Sequence, residues 1–262
     1  MPSDRIISRQ EDLTGHLIFN NPERHNAVSL DMWDAVETVL DGFVADDKVR
    51  VIVVSGAGGK AFVSGADISK FETERGTREA VAHYNARIKA VYEKVHRLPK
   101  PTLAMIDGFC LGGGLALAVS CDLRFCSQKS KFGLPAAKLG LGYPYDGLKR
   151  LVDAIGPGAA KDIVFSGRRL NAEEALSIGL VQKVLPEAEL EKFVFDYART
   201  VAENAPLTVT SLKFIIGEIL KDPAERDLDM CREMVDRCFA SEDYVEGRRA
   251  FTEKRKPQFK GR

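Results

Sequence analysis

Two glycine-bearing segments hold the residues best suited to chemistry in this sequence. KAFVSGADISKF occupies positions 60–71, directly after an apolar run, and DGFCLGGGLALAVSCD occupies 107–122, where a strand-like stretch passes through glycines into a helix-like one. Gly112, Gly113 and Gly114 stand before the apolar run LALAVS. The first N–H groups of a helix have no intrahelical acceptor and carry the positive end of its dipole, so a helix start of this kind can hold an anion. Bare glycines also let a ligand come close. Tight turns and close helix packing use glycine in the same way, so GGG taken alone leaves both readings open.

A second group of polar residues lies further on. In LPAAKLGLGYPYDGLKRL, Tyr143, Tyr145 and Asp146 share one turn ahead of a helical run. Phenols and carboxylates both transfer protons. Asp146 stands equally well where it would cap that helix, and Tyr143 where it would simply pack. The five cysteines, Cys110, Cys121, Cys126, Cys231 and Cys238, form no CxxC pair, and the four histidines give no zinc spacing. Buried free thiols and no metal site are the expectation. Lys and Arg total 38, as do Asp and Glu, so bulk charge argues against nucleic acid or a membrane surface as partner. The N-terminus MPSDRIISRQEDLTG has no apolar run behind a basic start, and no segment reaches the roughly 18 to 20 apolar residues that span a bilayer. A soluble cytoplasmic protein is expected.

The elements that must position these residues follow from hydrophobic periodicity. HLIFN, VRVIVVSG and TLAMIDG read as strands, with a helix from about Ser29 and a long one near Arg78 to Arg97 between them. Leu30, Trp33, Val36 and Leu40 share one face of the first helix, and Ser29 stands at its N-cap position. After Gly147 strands nearly vanish. Helices broken by the GPG at 156–158, by Pro206 and by Pro223 remain, with one short strand at LVQKVL. At 262 residues the chain suits one large α/β unit with a terminal appendage. The closing segment EGRRAFTEKRKPQFKGR has too few apolar residues to fold alone, which leaves packing on another subunit or a ligand rim, or a disordered tail.

The order of motifs resembles the enoyl-CoA hydratase/isomerase family, also called the crotonase superfamily. The resemblance runs from NPERHNAVS through FVSGADI, KPTLAMIDGFCLGGGLALAVSCDLRFCS and FGLPAAKLGLG to EGRRAFTEKRKPQF, almost the whole chain. It implies a crotonase-like α/β fold: a repeated ββα spiral core over 1–200 that carries the CoA-thioester site, and a helical region over 201–262 for trimerisation. A homotrimer or a dimer of trimers is the implied assembly. Coenzyme A enters as part of an acyl-CoA substrate, with no permanently bound cofactor. By the same resemblance, the backbone N–H groups of Ala66 and Gly113 form an oxyanion hole for the thioester oxygen. One such donor is typically worth about 2.7–4 kcal/mol in the transition state. Ala66, Asp67 and Ile68 would lie against the adenine and Arg24 near the phosphates, with Phe251 and Lys254 reaching in from the C-terminal segment. Arg24 reads equally as a solvated surface charge. His83 and Tyr84 fall in the region that lines the acyl pocket.

The sequence departs from the family at its catalytic carboxylates. Hydratases of the superfamily carry one glutamate two residues after GGG and another after the proline of FGxP, and here these positions hold Ala116 and Ala136. A one-residue slip supplies only Leu115, Leu117, Pro135 or Ala137. Positioned acid–base groups contribute about 100-fold to 10,000-fold, which methyl groups cannot supply. Decarboxylation of a malonyl-type thioester needs no initial deprotonation and still delivers an enolate to the hole. Tyr143 matches in position a tyrosine of the superfamily's methylmalonyl-CoA decarboxylases, although the histidine those enzymes carry in place of the alanine of GAD is absent. The expectation is therefore a decarboxylase-like lyase acting through a thioester enolate, with Tyr143 and Asp146 as candidate catalytic side chains. One alternative is a hydratase or isomerase with an atypical acid–base residue. Another is an acyl-CoA-binding protein without catalysis.

Overall fold

The computed structural model describes residues 4–262. Among the described residues, ten strands build two sheets. The large one contains β1 (Ile6–Glu11), β2 (Thr14–Phe19), β3 (Val51–Gly56), β5 (Thr102–Ile106), β7 (Leu123–Ser127) and β10 (Lys183–Leu185), in the order β1-β2-β3-β5-β7-β10. Only the β1–β2 pair is antiparallel. The small sheet contains β4 (Ala61–Val63), β6 (Phe109–Leu111), β8 (Lys131–Gly133) and β9 (Leu170–Asn171), with β4, β6 and β8 parallel. Ten helices accompany them: α1 (Leu30–Ala45), α2 (Phe71–Arg75), α3 (Arg78–Arg97), α4 (Gly113–Ser120), α5 (Tyr145–Ser166), α6 (Ala172–Ser177), α7 (Glu187–Ala202), α8 (Pro206–Ile219), α9 (Leu228–Ala240) and α10 (Glu242–Thr252).

A repeat emerges from this order. A strand of the large sheet leads to a strand of the small sheet and then to a helix, three times over: β3–β4–α2/α3, β5–β6–α4, and β7–β8–α5. The three small-sheet strands lie side by side, so the loops leaving their C-terminal ends converge. In parallel sheets that end is where ligands bind.

Alternation within the large sheet explains its layering. Ile52, Val54, Ala104 and Ile106 face a core shared with α1, α3, α4 and the small sheet. Val51, Val53, Leu103 and Phe125 face Leu190, Val194 and Ala198 of α7 on the other side. Both faces of β3 are dry, as its unbroken VIVV run requires.

Several local expectations are corrected. Ser29 occupies the N-cap position of α1, but its hydroxyl donates to Asp31 and makes no cap bond. Asp146 does not cap α5 either. Pro144 holds that position and Asp146 lies within the first turn. The closing segment is not a free tail: its main chain is tied to its own chain. The Asp243 carboxylate accepts from the N–H groups of Lys260 at 2.6 Å and Gly261 at 2.8 Å, and Arg50 donates to the Phe259 carbonyl at 2.8 Å. Gly156, at φ +74°, kinks α5 where GPG was expected to break it.

Candidate active site

The first glycine-bearing loop leaves β4. Val28 forms a single parallel bridge with Ala66: its N–H donates to the Gly65 carbonyl at 2.9 Å, and its carbonyl accepts from the Asp67 N–H at 2.9 Å. In a parallel bridge of this kind the central residue turns its own N–H and carbonyl away from the partner. The Ala66 N–H therefore faces away from Val28, and it has no acceptor among the described residues.

The second loop leaves β6. The Gly112 N–H is used, donating to the Gly133 carbonyl of β8 at 2.9 Å, so the first free donor of α4 is that of Gly113. The three glycines have separate reasons. Gly112 sits at φ +54°, ψ −117°, which an L side chain resists. Gly114 has no room: a Cβ there would lie 2.0 Å from the Val63 carbonyl oxygen. The Gly113 carbonyl accepts from the buried Tyr92 hydroxyl at 2.9 Å, which fixes the helix start. A Cβ on Gly65 would lie 4.0 Å from the Gly113 nitrogen, which brings the two loops into contact distance. Two unsatisfied N–H groups, one of them at a helix N-terminus, thus stand together at one edge of the small sheet.

The far end of α4 is also charged. Arg124, 6 % exposed, donates to the carbonyls of Cys121 at 2.8 Å, Ala118 at 3.3 Å and Leu180 at 2.6 Å. Among the described residues it has no carboxylate within ion-pair distance, so its charge is met by the carbonyl end of the helix.

Arg24 and Asp67 are brought together. The guanidinium lies 3.1 Å from the carboxylate and donates to the Ser69 hydroxyl at 2.6 Å. Burial pushes the Asp67 carboxyl up, but the Ser69 hydroxyl and N–H, with Arg24, outweigh it and hold the group below the ordinary carboxylate range. Asp67 thus braces the loop that presents Ala66. Ile68, next to it, is 70 % exposed.

Ala116 is buried on α4 and Ala136 half-buried in the turn after Pro135. Neither α4 nor the Pro135–Leu139 turn contains a carboxylate. Tyr143 packs at the edge of the same core, its ring against Gly147, and burial, opposed in part by Arg150, pushes its phenol up to about 12. At neutral pH it therefore carries its proton. Asp146 is bound 2.7 Å from Lys89 of α3, whose ammonium is the main cause holding its carboxyl below the usual range. Tyr145 is 75 % exposed.

The structure separates His83, which is exposed, from Tyr84, which is buried under the Arg75 guanidinium at 3.7 Å. Trp33 and Tyr92 were not singled out by their chemistry, yet Trp33 meets Tyr92 edge-on at 5.3 Å beside Gly113. Trp33 shares a face of α1 with Val36 and Leu40, and Tyr92 a face of α3 with Val91 and Val95, placements that read as core. Phe251 and Lys254 are placed elsewhere within the chain. Phe251, 87 % exposed, lines an apolar groove of about 750 Å³ with Leu212 of α8 and Val235 and Phe239 of α9, and Lys254 follows in a left-handed turn at φ +55°.

Residues 13–262 match the family model described as enoyl-CoA hydratase/isomerase. The chain belongs to the enoyl-CoA hydratase/isomerase family. It is an acyl-CoA enzyme of the crotonase superfamily, and its mixed α/β fold is that of its structural neighbours. A crystal structure of an enoyl-CoA hydratase/isomerase family protein from Hyphomonas neptunium superimposes with a TM-score of 0.93 at 35 % identity, covering 100 % of this chain and 99 % of that one. A short-chain-enoyl-CoA hydratase of Clostridium acetobutylicum is 34 % identical over 100 % of both chains. A crotonyl-CoA hydratase of Syntrophomonas wolfei is 35 % identical over 99 % of both.

Proposed function

We propose that this protein holds the enolate of an acyl-CoA thioester between the N–H groups of Ala66 and Gly113 and runs a hydro-lyase reaction, the addition or removal of water across the α,β bond. The observation that carries the enolate is the pair of unsatisfied N–H groups in contacting loops, one backed by the positive end of α4. The names of its relatives favour hydration over the decarboxylase-like lyase read from the sequence. With alanine at 116 and 136, the proton-carrying side chain is Tyr143: its phenol, protonated at neutral pH, gives its proton to the α-carbon of the enolate left when water adds at the β-carbon, and the phenolate so formed takes the proton that the added water loses. In this reading Ala66, Asp67 and Ile68 receive the adenine and Arg24 the phosphates. Phe251 and Lys254 act on the site of a neighbouring subunit.

A second reading keeps its own support. Loss of carbon dioxide from a malonyl-type thioester leaves the C–C electron pair on the α-carbon as an enolate, and only an acid is then needed. Ala116 and Ala136, beside a protonated Tyr143, suit that chemistry. The test is direct: purified protein is offered crotonyl-CoA and, separately, malonyl-CoA and methylmalonyl-CoA. Hydration of crotonyl-CoA, reduced about 100-fold or more in Tyr143→Phe while CoA binding persists, is the expected result. Carbon dioxide release without hydration would replace it with the second reading. Binding with no turnover on any thioester would make the chain a binding protein.

A further inference from the structure

The end of the small sheet opposite the oxyanion loops holds a second cavity, of about 670 Å³, whose charged lining includes Lys60, Lys129, Lys131, Arg169 and Glu174 around the ring of Phe109. It opens at the N-terminal ends of β4, β6 and β8, whereas Ala66 and Gly113 lie beyond their C-terminal ends. Three-residue strands separate the two by roughly 10 Å.

Three of the four lysine and arginine side chains in this lining are not spent on carboxylates of the protein among the described residues. Lys129 is engaged, 3.2 Å from Asp107 and 2.9 Å from Glu187. Lys60, Lys131 and Arg169 have no carboxylate partner among the described residues. The single carboxylate in the lining, Glu174, is turned to Arg168 at 2.6 Å and to the Asn171 N–H at 2.8 Å, so it does not neutralise them. In a chain with equal numbers of cations and anions, three uncompensated cations around one cavity are a departure.

Main-chain donors join them. The turn from β3 to β4 reads Gly-Ala-Gly-Gly-Lys over 56–60, with Gly58 at φ +84° and Gly59 at φ +64°. The N–H groups of Gly58, Gly59 and Lys60 have no acceptor among the described residues. Successive free amides beside lysine and arginine suit phosphate oxygens, which accept several charge-assisted bonds at once. The volume exceeds one phosphate and falls in the usual range for small-molecule sites. Phe109, with the Arg169 guanidinium 5.3 Å from its centroid, offers an apolar surface to an organic remainder.

We propose that this cavity is a second binding site, separate from the acyl-CoA site, for a phosphate-bearing anion with at least two linked phosphates. Its floor is shared with the reaction site, because β6 runs from Phe109 in the cavity to Leu111, which precedes Gly112 and Gly113. The same chemistry could be offered by the diphosphate of coenzyme A itself, and the experiment separates the two sources.

Inorganic pyrophosphate is titrated calorimetrically into the full-length protein, with and without saturating coenzyme A, at two salt concentrations. The expected result is saturable binding, one per chain, that weakens steeply with salt and persists in the presence of coenzyme A. Lys60→Gln should weaken it several-fold and the Lys60→Ala/Lys131→Ala/Arg169→Ala variant at least tenfold, with Tm and coenzyme A affinity unchanged. Absence of saturable binding, or equal binding by the single and triple variants, would overturn the proposal. So would stoichiometric displacement by coenzyme A, which would make the cavity the phosphate end of the acyl-CoA site.

Discussion

At the scale of residues, main chain and side chains hold different parts of the chemistry. The two N–H donors need no side chain at 66 or 113, but they need its absence at 114, where the Val63 carbonyl leaves no space. Gly114→Ala is expected to cost about 3 kcal/mol or more in urea unfolding, above the common range for overpacking because the obstacle is backbone. Any folded fraction should show kcat reduced more than KM. Asp146 is the weaker of the two candidate side chains. It is tied to Lys89 in a solvent-exposed pair of the kind that adds little to stability. Asp146→Asn is expected to leave crotonyl-CoA turnover within threefold of the parent, and a loss beyond tenfold would restore it as an acid or base. The two loops of the candidate site were legible in the sequence, as GAD and GGG. The contact of Arg24 with Asp67 was not, because 43 positions separate them and only the bridge from Val28 to Ala66 brings them together. The role of Tyr92 was hidden for a related reason, since a tyrosine at helical spacing reads as core until a carbonyl is seen beside its hydroxyl.

At the scale of elements, long runs were readable and short ones were not. VIVV and the stretch Arg78–Arg97 announce their structure by composition and period. β4, β6 and β8 are three residues each, too short for any periodicity, so the ββα repeat becomes visible only when their pairing is known. The pairing also buries a titrating group. His16 of β2 lies 2.8 Å from the Ser55 hydroxyl of β3 and edge-on to Phe195 of α7. Burial, helped by Arg9, lowers its pKa from 6.5 to about 4. The unfolded chain therefore binds a proton here between these values while the folded one does not, so stability falls as pH drops through that window. The loss is on the order of 2 kcal/mol, allowing for screening of the part-exposed ring. Unfolding of the parent and of His16→Gln, compared at pH 7 and pH 4.5, checks this: the substitution should flatten the dependence.

At the scale of the whole molecule, the apolar surface is unevenly distributed. Leu212, Ile216 and Ile219 of α8, Phe239 of α9 and Val245 and Phe251 of α10 are all more than half exposed. A patch of this kind on a folded chain marks an interface. Light scattering is expected to give a mass that is a multiple of three chains, and Phe239→Glu to shift it toward the single chain. A monomer for the parent would contradict the assembly. Among the described residues, one cation is buried inside the fold. Arg124 rests against the carbonyl end of α4, while the other end, eight residues and roughly 12 Å away, faces the place where an enolate would form. In the proposed reaction the helix would stand between a permanent cation and a negative charge that exists only during turnover. The protein carries the electrostatic cost of Arg124 at all times, so a site at the other end of α4, as proposed, would be polarised before a substrate arrives and have little left to rearrange when the charge develops.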